Sequence, residues 1–321
     1  MTSPRQLFRI NDLPIELQRE IFYIAATADL QNATQIVRVA RRICAWVQPI
    51  IYAMVTLGSQ DTELFLRTVH SKPRQFFAAH VKRLCLSVSV SAPNAAHILT
   101  VCTGVRDLAF WVDFLGASPT DVGSLHSYIS PLPLRRLSME LSHILDLMTR
   151  SGDLSQYPWS AGLTHLDVVF WTHEETPSIP GLERFPALTH LALWLQHSRV
   201  SATSLATILS ACNLLRILVI VVDEAESLAP DQDTFADPRI VLIPYLDVVP
   251  DWEAPMRGLP DTWSRAEDLV RAQMQKAEPD FLAGTRPVEP DVDHKTLSGS
   301  YTLQRGTAEK YNRGLAFYPR F

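Results

Sequence analysis

Leu163-Thr164-His165-Leu166-Asp167-Val168 is restated 25 residues later as Leu188-Thr189-His190-Leu191-Ala192-Leu193, each time an apolar residue with others three and five positions on. The same kernel stands at Val81/Leu84/Leu86, Val105/Leu108/Phe110, Leu134/Leu137/Met139 and Leu215/Leu218/Ile220, so the six starts follow at steps of 24, 29, 29, 25 and 27. A seventh, Ile240/Ile243/Tyr245, starts 25 residues after the sixth and is weakened by Pro244 within it. A period of this length predicts stacked coils, each giving one short strand, because a unit so small cannot bury its apolar side without neighbours.

The kernel resembles the Leu-x-x-Leu-x-Leu strand of a leucine-rich repeat, in degenerate form, since most copies lack the asparagine that commonly follows the strand. Side chains alternate across a strand, so kernel positions four and six face the core and positions three, five and seven line the concave side of a solenoid. On that side stand Trp111, Glu140, His165, Asp167, His190 and Trp194, the candidate target-binding residues. Exposed tryptophans anchor interfaces, which singles out Trp111 and Trp194. The alternative is that an insertion or the C-terminal segment folds over both rings. His165 and His190 share one kernel position, so their side chains stand about 5 Å apart with Asp167 nearby. That suggests zinc or acid–base chemistry, but no third strong ligand is evident, and neither metal nor cofactor is expected.

Between kernels, Pro93 to Cys102, Leu141 to Arg150 and Ser201 to Cys212 read as short return helices. Trp171 to Pro186 carries Pro177, Pro180 and Pro186 and predicts an irregular loop instead.

Upstream, Asn11-Asp12-Leu13-Pro14-Ile15-Glu16-Leu17 reads as a helix start, with Pro14 in the opening turn and Glu16 and Glu20 complementing the positive helix end. Leu13, Leu17, Ile21 and Ile24 give one apolar face to a helix reaching about Ala26, and Phe22 widens it. A second helix is expected from Asn32 to Val47, with Ile36, Ala40, Ile43 and Val47 on one stripe, Arg38, Arg41 and Arg42 outside it, and Pro49 ending or bending it. This core is too small to stand confidently alone and wants a partner surface.

Leu13-Pro14-Ile15-Glu16-Leu17 with Ile21-Phe22, then Ile36 to Arg42, Trp46 and Pro49-Ile50-Ile51-Tyr52, resembles an F-box, especially the divergent F-box-like domains of fungal proteins. The departures are Ala40, where the family often has cysteine or serine, and Ala25-Ala26-Thr27-Ala28 in place of tyrosine-leucine. The resemblance implies docking onto the Skp-type adaptor of a cullin-RING ubiquitin ligase, with Leu13, Pro14, Leu17, Ile21 and Phe22 at the family's contact and core positions.

Residues 225 to 321 hold 10 of the chain's 22 prolines and depart from the repeat. Asp223, Glu224, Glu226, Asp231, Asp233 and Asp237 read as a solvated acidic loop. Ser264-Arg265-Ala266-Glu267 has the spacing of a capping box and starts a helix to Lys276 that could cap the solenoid. Beyond it, Pro279, Pro287 and Pro290 mark an extended or irregular tail unless Phe281, Tyr301, Tyr311 and Phe317 to Phe321 pin it down.

The 321 residues, with 29 basic and 34 acidic side chains and 47% hydrophobic content, supply a core but no basic field for nucleic acid. No apolar run approaches a bilayer span and no secretory signal is evident, so the expected location is cytoplasmic or nuclear. No two glycines stand closer than seven residues, which excludes the standard dinucleotide, P-loop and nucleophile-elbow cradles. Cys44, Cys85, Cys102 and Cys212 are too dispersed for a metal knuckle and are expected as reduced, mostly buried thiols.

The expected organisation is α/β: an F-box-like helical domain over 1–60, an irregular leucine-rich-repeat solenoid over 61–250 with parallel strands and helices or loops on the convex side, and a capping helix with a Pro-rich tail over 251–321. The expected function is a non-catalytic substrate receptor binding the Skp-type adaptor, through it a cullin, and a target protein, with no nucleic-acid or membrane partner. A repeat scaffold without a ligase, or an enzyme using His165, Asp167 and His190, are the alternatives.

Overall fold

The structure, a computed structural model, describes residues 9–116, 123–150, 154–170, 179–195, 201–222 and 237–277. The six kernels each open a strand two residues after their first apolar position: β2 (Arg83–Leu86), β3 (Asp107–Phe110), β4 (Arg136–Glu140), β5 (His165–Phe170), β6 (His190–Leu195) and β7 (Ile217–Val222). The segment of the weak seventh forms β8 (Ile240–Pro244) but three positions out of the expected register: Ile240 pairs with Leu218 and Leu242 with Ile220, so Ile243 falls on the other face beside Val221; Met54–Leu57 adds a strand, β1, ahead of the first kernel. All are parallel and pair in chain order, giving one eight-stranded sheet from β1 to β8. Pro244 sits at the last position of β8, where the missing N–H is tolerated.

The register stacks like positions. Leu84, Leu108, Leu137, Leu166, Leu191 and Leu218 form one column, and Leu86, Phe110, Met139, Val168, Leu193 and Ile220 the next on the same face. Both columns are almost fully buried against the return segments. Those segments are α4 (Ser59–Ser71) and α5 (Arg74–His80) after β1, then α6 (Ala92–Val101) and α7 (Leu125–Ile129) after β2 and β3. After β4 come α8 (Leu141–Arg150), a 3-10 turn at Leu154–Gln156 and α9 (Pro158–Ala161). Between β5 and β6 only a 3-10 turn at Leu182–Arg184 is described, as the prolines there imply, and residues 171–178 of that connection lie outside the described residues. Helix α10 (Ala202–Ala211) joins β6 to β7. The helices expected between kernels thus form within one residue of their expected ends.

At the N-terminus, Pro14 precedes α1 (Ile15–Ala28), and the expected second helix is two: α2 (Leu30–Ile36) and α3 (Arg41–Ile51). The chain turns at Val37–Val39 and is extended at Ala40, which directs Val37 and Ile43 into one small core with Ala26, Ala33 and Val47. Of the expected stripe Ile43 and Val47 are buried and Ile36 and Ala40 pack partly buried against them, while Val37, outside the expected stripe, takes an inward place because the helix breaks. Pro49 does not end α3, which runs on to Ile51.

After β8 the chain crosses to the sheet's second face as α11 (Val248–Glu253), a 3-10 turn at Ala254–Arg257 and α12 (Thr262–Ala277). Its cap is Asp261 rather than Ser264: Asp261 Oδ1 accepts from the backbone N–H of Ser264 at 2.9 Å and from its hydroxyl at 2.6 Å, so the helix starts earlier than the Ser-x-x-Glu spacing predicts. Trp252, Trp263, Ala266 and Val270 pack onto Cys85, Ala109, Val169, Ala192, Val219 and Val241, forming a second core. Strands β6 and β7 are therefore buried on both faces, which accounts for the unbroken apolar run Ile217–Val222. The acidic residues from Asp223 to Asp233 and the tail from 278 to 321 lie outside the described residues.

Candidate functional site: a helical stripe and a covered sheet face

Two regions carry the residues singled out by sequence. The first is α1. Gln18, Phe22 and Ala26 turn inward, with the Gln18 side-chain amide donating to the Leu13 carbonyl at 2.8 Å and Phe22 lying 6.5 Å from Trp46 between ring centres. On the opposite side Leu17, Ile21 and Ile24, spaced four and three apart, are 51%, 42% and 58% exposed. Ile15 and Tyr23 are exposed elsewhere on the helix, Pro14 is exposed at the helix start and Leu13 is half-buried. Of the five candidate adaptor contacts, Pro14, Leu17 and Ile21 thus face outward and Phe22 belongs to the head's own core. Arg42 ties the segment before α1 to α3 by donating to the Asn11 side chain at 2.6 Å.

The second is the sheet face opposite the return helices. Its register brings Arg83, Asp107, Arg136, His165 and His190 into one row and Cys85, Ala109, Ser138 and Asp167 into the next. The expectation that Trp111 and Trp194 are open to a partner is overturned: they are 8% and 6% exposed. The cause is coverage by α11 and α12, whose apolar side buries this face of the sheet. Trp111 donates its indole N–H to the Ser138 hydroxyl at 3.0 Å, and Trp194 meets Tyr245 edge-on at 6.0 Å. Glu140, half-buried at the end of β4, lies 3.3 Å from His143 Nδ1.

His165 and His190 pair across β5 and β6 with stacked rings, and Trp263 sits edge-on to both. Each Nδ1 lies beside the hydroxyl of the threonine before it, 2.9 Å for Thr164 and 2.8 Å for Thr189. Burial, then the neighbouring His190 and Arg136, pushes His165 down to about 3, and burial with Arg136 and Arg216 pushes His190 down to about 4. Both imidazoles are neutral at pH 7. Asp167 is driven the other way, up to about 8, by burial and the Asp251 and Asp261 carboxylates, against the relief given by Arg136 and a hydrogen bond to Ser138. It is protonated at pH 7. With Arg83, Arg136, Trp194, Trp252 and Trp263 it lines a cavity of about 30 Å³, large enough for a water or two.

Polar contacts stitch the cover to the sheet. The Arg83 guanidinium lies over the Trp252 ring at 5.1 Å, donates to the Trp252 carbonyl at 3.2 Å and pairs with Asp107 at 3.4 Å. Arg136 reaches Asp261 at 3.5 Å, and His190 Nε2 stands 3.5 Å from Glu267. The sequence reading missed Asp251, Trp252, Asp261 and Trp263. Its signal was the spacing Trp263, Ala266, Val270 on a helix whose Leu269 faces outward instead.

Among the described residues no group of three or more His, Cys, Asp and Glu side chains is placed to hold a metal ion. No helix among them is long and apolar enough to cross a membrane. The four cysteines are free thiols, and burial raises Cys85, Cys102 to about 12 and Cys212 to about 11, far from the thiolate a nucleophile needs. No protein-family model matches the chain, and no curated protein sequence matches it.

Proposed function

We propose that the chain is a substrate-receptor subunit of a cullin-RING ubiquitin ligase, with α1–α3 as an F-box-like head that docks a Skp-type adaptor and the sheet as a leucine-rich-repeat solenoid that binds a target protein. The observation that carries the reading is the exposed stripe of Leu17, Ile21 and Ile24 on a helix whose other side fills the head's own core. A small helical unit that leaves large aliphatic side chains in water has a surface fit for a partner. Such a receptor needs no nucleophile: holding a target lysine beside a charged ubiquitin carrier raises its effective concentration. Partners of this kind belong to the cytoplasm or the nucleus.

A second reading, a repeat scaffold whose head only caps the sheet, is favoured by the seam between them. Ile51 packs against both the head core and the body, and Lys72 on the body donates to the Gln48 side chain at 3.1 Å. Capture by a purified Skp-type adaptor separates the two. The ligase reading expects the full chain to bind and Leu17→Asp with Ile21→Asp to abolish binding; no capture, or capture unaffected by those changes, contradicts it.

A further inference from the structure

The two faces of the sheet differ in kind. Against the return helices the strands present only leucine, isoleucine, valine, phenylalanine and methionine at the two stacked columns. Against α11 and α12 the same strands present Arg83, Asp107, Arg136, His165, Asp167 and His190 beside the apolar Ala109, Val169, Ala192, Val219 and Val241. Ionisable groups sit in a permanent core at a cost that apolar residues of similar size avoid. On a face that is at times open to water the same residues are hydrated and carry no such cost.

The cover is fitted to that face by polar contacts as well as by its apolar side, and imperfectly. Trp252 and Trp263 lay their rings on Arg83 and on the histidine pair, while Asp261 and Glu267 point carboxylates at Arg136 and His190. The indole N–H groups of Trp194 and Trp252, both lining the cavity, find no acceptor among the described residues. The outer side of α12 leaves Leu269 and Met274 exposed, so nothing described clamps it from above. The chain enters the cover through residues 245–247, which form neither helix nor strand, and breaks again at Gly258, whose φ of 68° only glycine adopts readily.

We propose that this face is a docking surface for an acidic helical segment bearing tryptophans, which α11 and α12 occupy in cis and from which a target segment of like chemistry displaces them. The proposal deepens the target-binding half of the functional reading and rests on it, whereas capture of the adaptor involves the N-terminal helical head. The cover names the chemistry a competitor must supply: one indole over the Arg83 guanidinium, one across the histidine pair, and a carboxylate for Arg136. Intramolecular tethering gives the cover the advantage of a high local concentration, so a free segment competes well only when the cis contacts are weakened.

Hydrogen exchange on the full chain, read by mass spectrometry, tests whether the cover opens by itself. Amides of 248–277 are expected to exchange through openings at least tenfold more frequent than those releasing β5 and β6; exchange of the cover only together with those strands overturns the proposal. A fluorescently labelled synthetic peptide of residues 246–277 tests the surface. It is expected to bind the full-length Trp263→Ala chain at least tenfold more tightly than the unaltered chain, and equal or absent binding to both overturns the proposal. The exchange measurement needs no variant, so it decides even where Trp263→Ala fails to fold. Neither assay contains the adaptor, so failure here leaves the adaptor reading standing, and failure of adaptor capture leaves these results unchanged.

Discussion

His165 and His190 stack face to face, their ring centres 4.1 Å apart and their planes 7° from parallel, at directly paired positions of β5 and β6. Two like side chains meet this way because neighbouring parallel strands keep equivalent repeat positions in register, and burial of the pair favours the uncharged form of both rings. Trp263 closes over them, so the pair acts as a floor for an aromatic anchor rather than as a ligand set.

This arrangement fixes how stability responds to pH. Folding holds His165 and His190 at about 3 and about 4, below their ordinary 6.5, so the unfolded chain takes up protons the folded chain refuses, and stability falls as pH drops from about 6.5 to about 4. Asp167, held at about 8 against an ordinary 3.8, has lost its proton in the unfolded chain but kept it in the folded one across that interval, so its contribution falls as pH rises from about 4 to about 8 and levels off above. Where the windows overlap two imidazoles outweigh one carboxyl, and these three groups put maximum stability near pH 6.5. Denaturant midpoints at pH 5, 6.5 and 8 check this. Asp167→Asn is expected to remove the decline from 6.5 to 8 and leave the acid limb; a decline that survives in that variant has another source.

Trp159 is fully buried and meets Phe185 edge-on at 5.6 Å between ring centres, joining α9 to the connection before β6. Trp159→Ala is expected to cost roughly 3–5 kcal/mol in urea unfolding. Its indole N–H has no acceptor among the described residues, so Trp159→Phe should cost clearly less. Equal losses from both would mean that the N–H, not the packing, matters.

Gly104, in the turn between α6 and β3, is a glycine for want of space. A Cβ there would lie 1.9 Å from the Ala78 carbonyl oxygen on α5. Because the obstacle is backbone, Gly104→Ala is expected to destabilise by roughly 1–3 kcal/mol or more, through displacement of α5. A thermal midpoint unchanged by this substitution would contradict the close approach of turn and helix.

Leu17 and Ile21 point away from the head's core, so changing them to aspartate should alter stability by only about 0.5 kcal/mol while removing adaptor capture. Phe22→Ala, by contrast, takes away an inward ring packed near Trp46 and should unfold the head before it affects any surface. Urea titration beside the capture assay separates the two effects.

The strands were legible where burial dictates composition: Leu166, Leu191 and Leu218 must be apolar because they lie between sheet and helices, and their even spacing reports it. The missing strand β1 obeys the same rule, since Tyr52, Val55 and Leu57 have the kernel's three-and-five spacing and Tyr52 precedes Val81 by 29 residues. An aromatic first position inside a segment resembling the end of an F-box hid it. Helices α4 and α5 followed it out of view. The coverage of Trp111 and Trp194 had no local signature, because the contact that closes the far end of the face joins Arg83 to Trp252 across 169 residues of sequence. Periodicity reports that α12 has an apolar side; it does not say which distant strands that side meets.

The proposed receptor function, with two separate surfaces, is tested most directly by a hydrogen-exchange footprint of the full chain with and without a purified Skp-type adaptor. The account predicts new protection over residues 13–24, the span of Leu17, Ile21 and Ile24, with the amides of β2 to β7 unchanged. No added protection over that helix at saturating adaptor, or protection falling on the sheet instead, would contradict it.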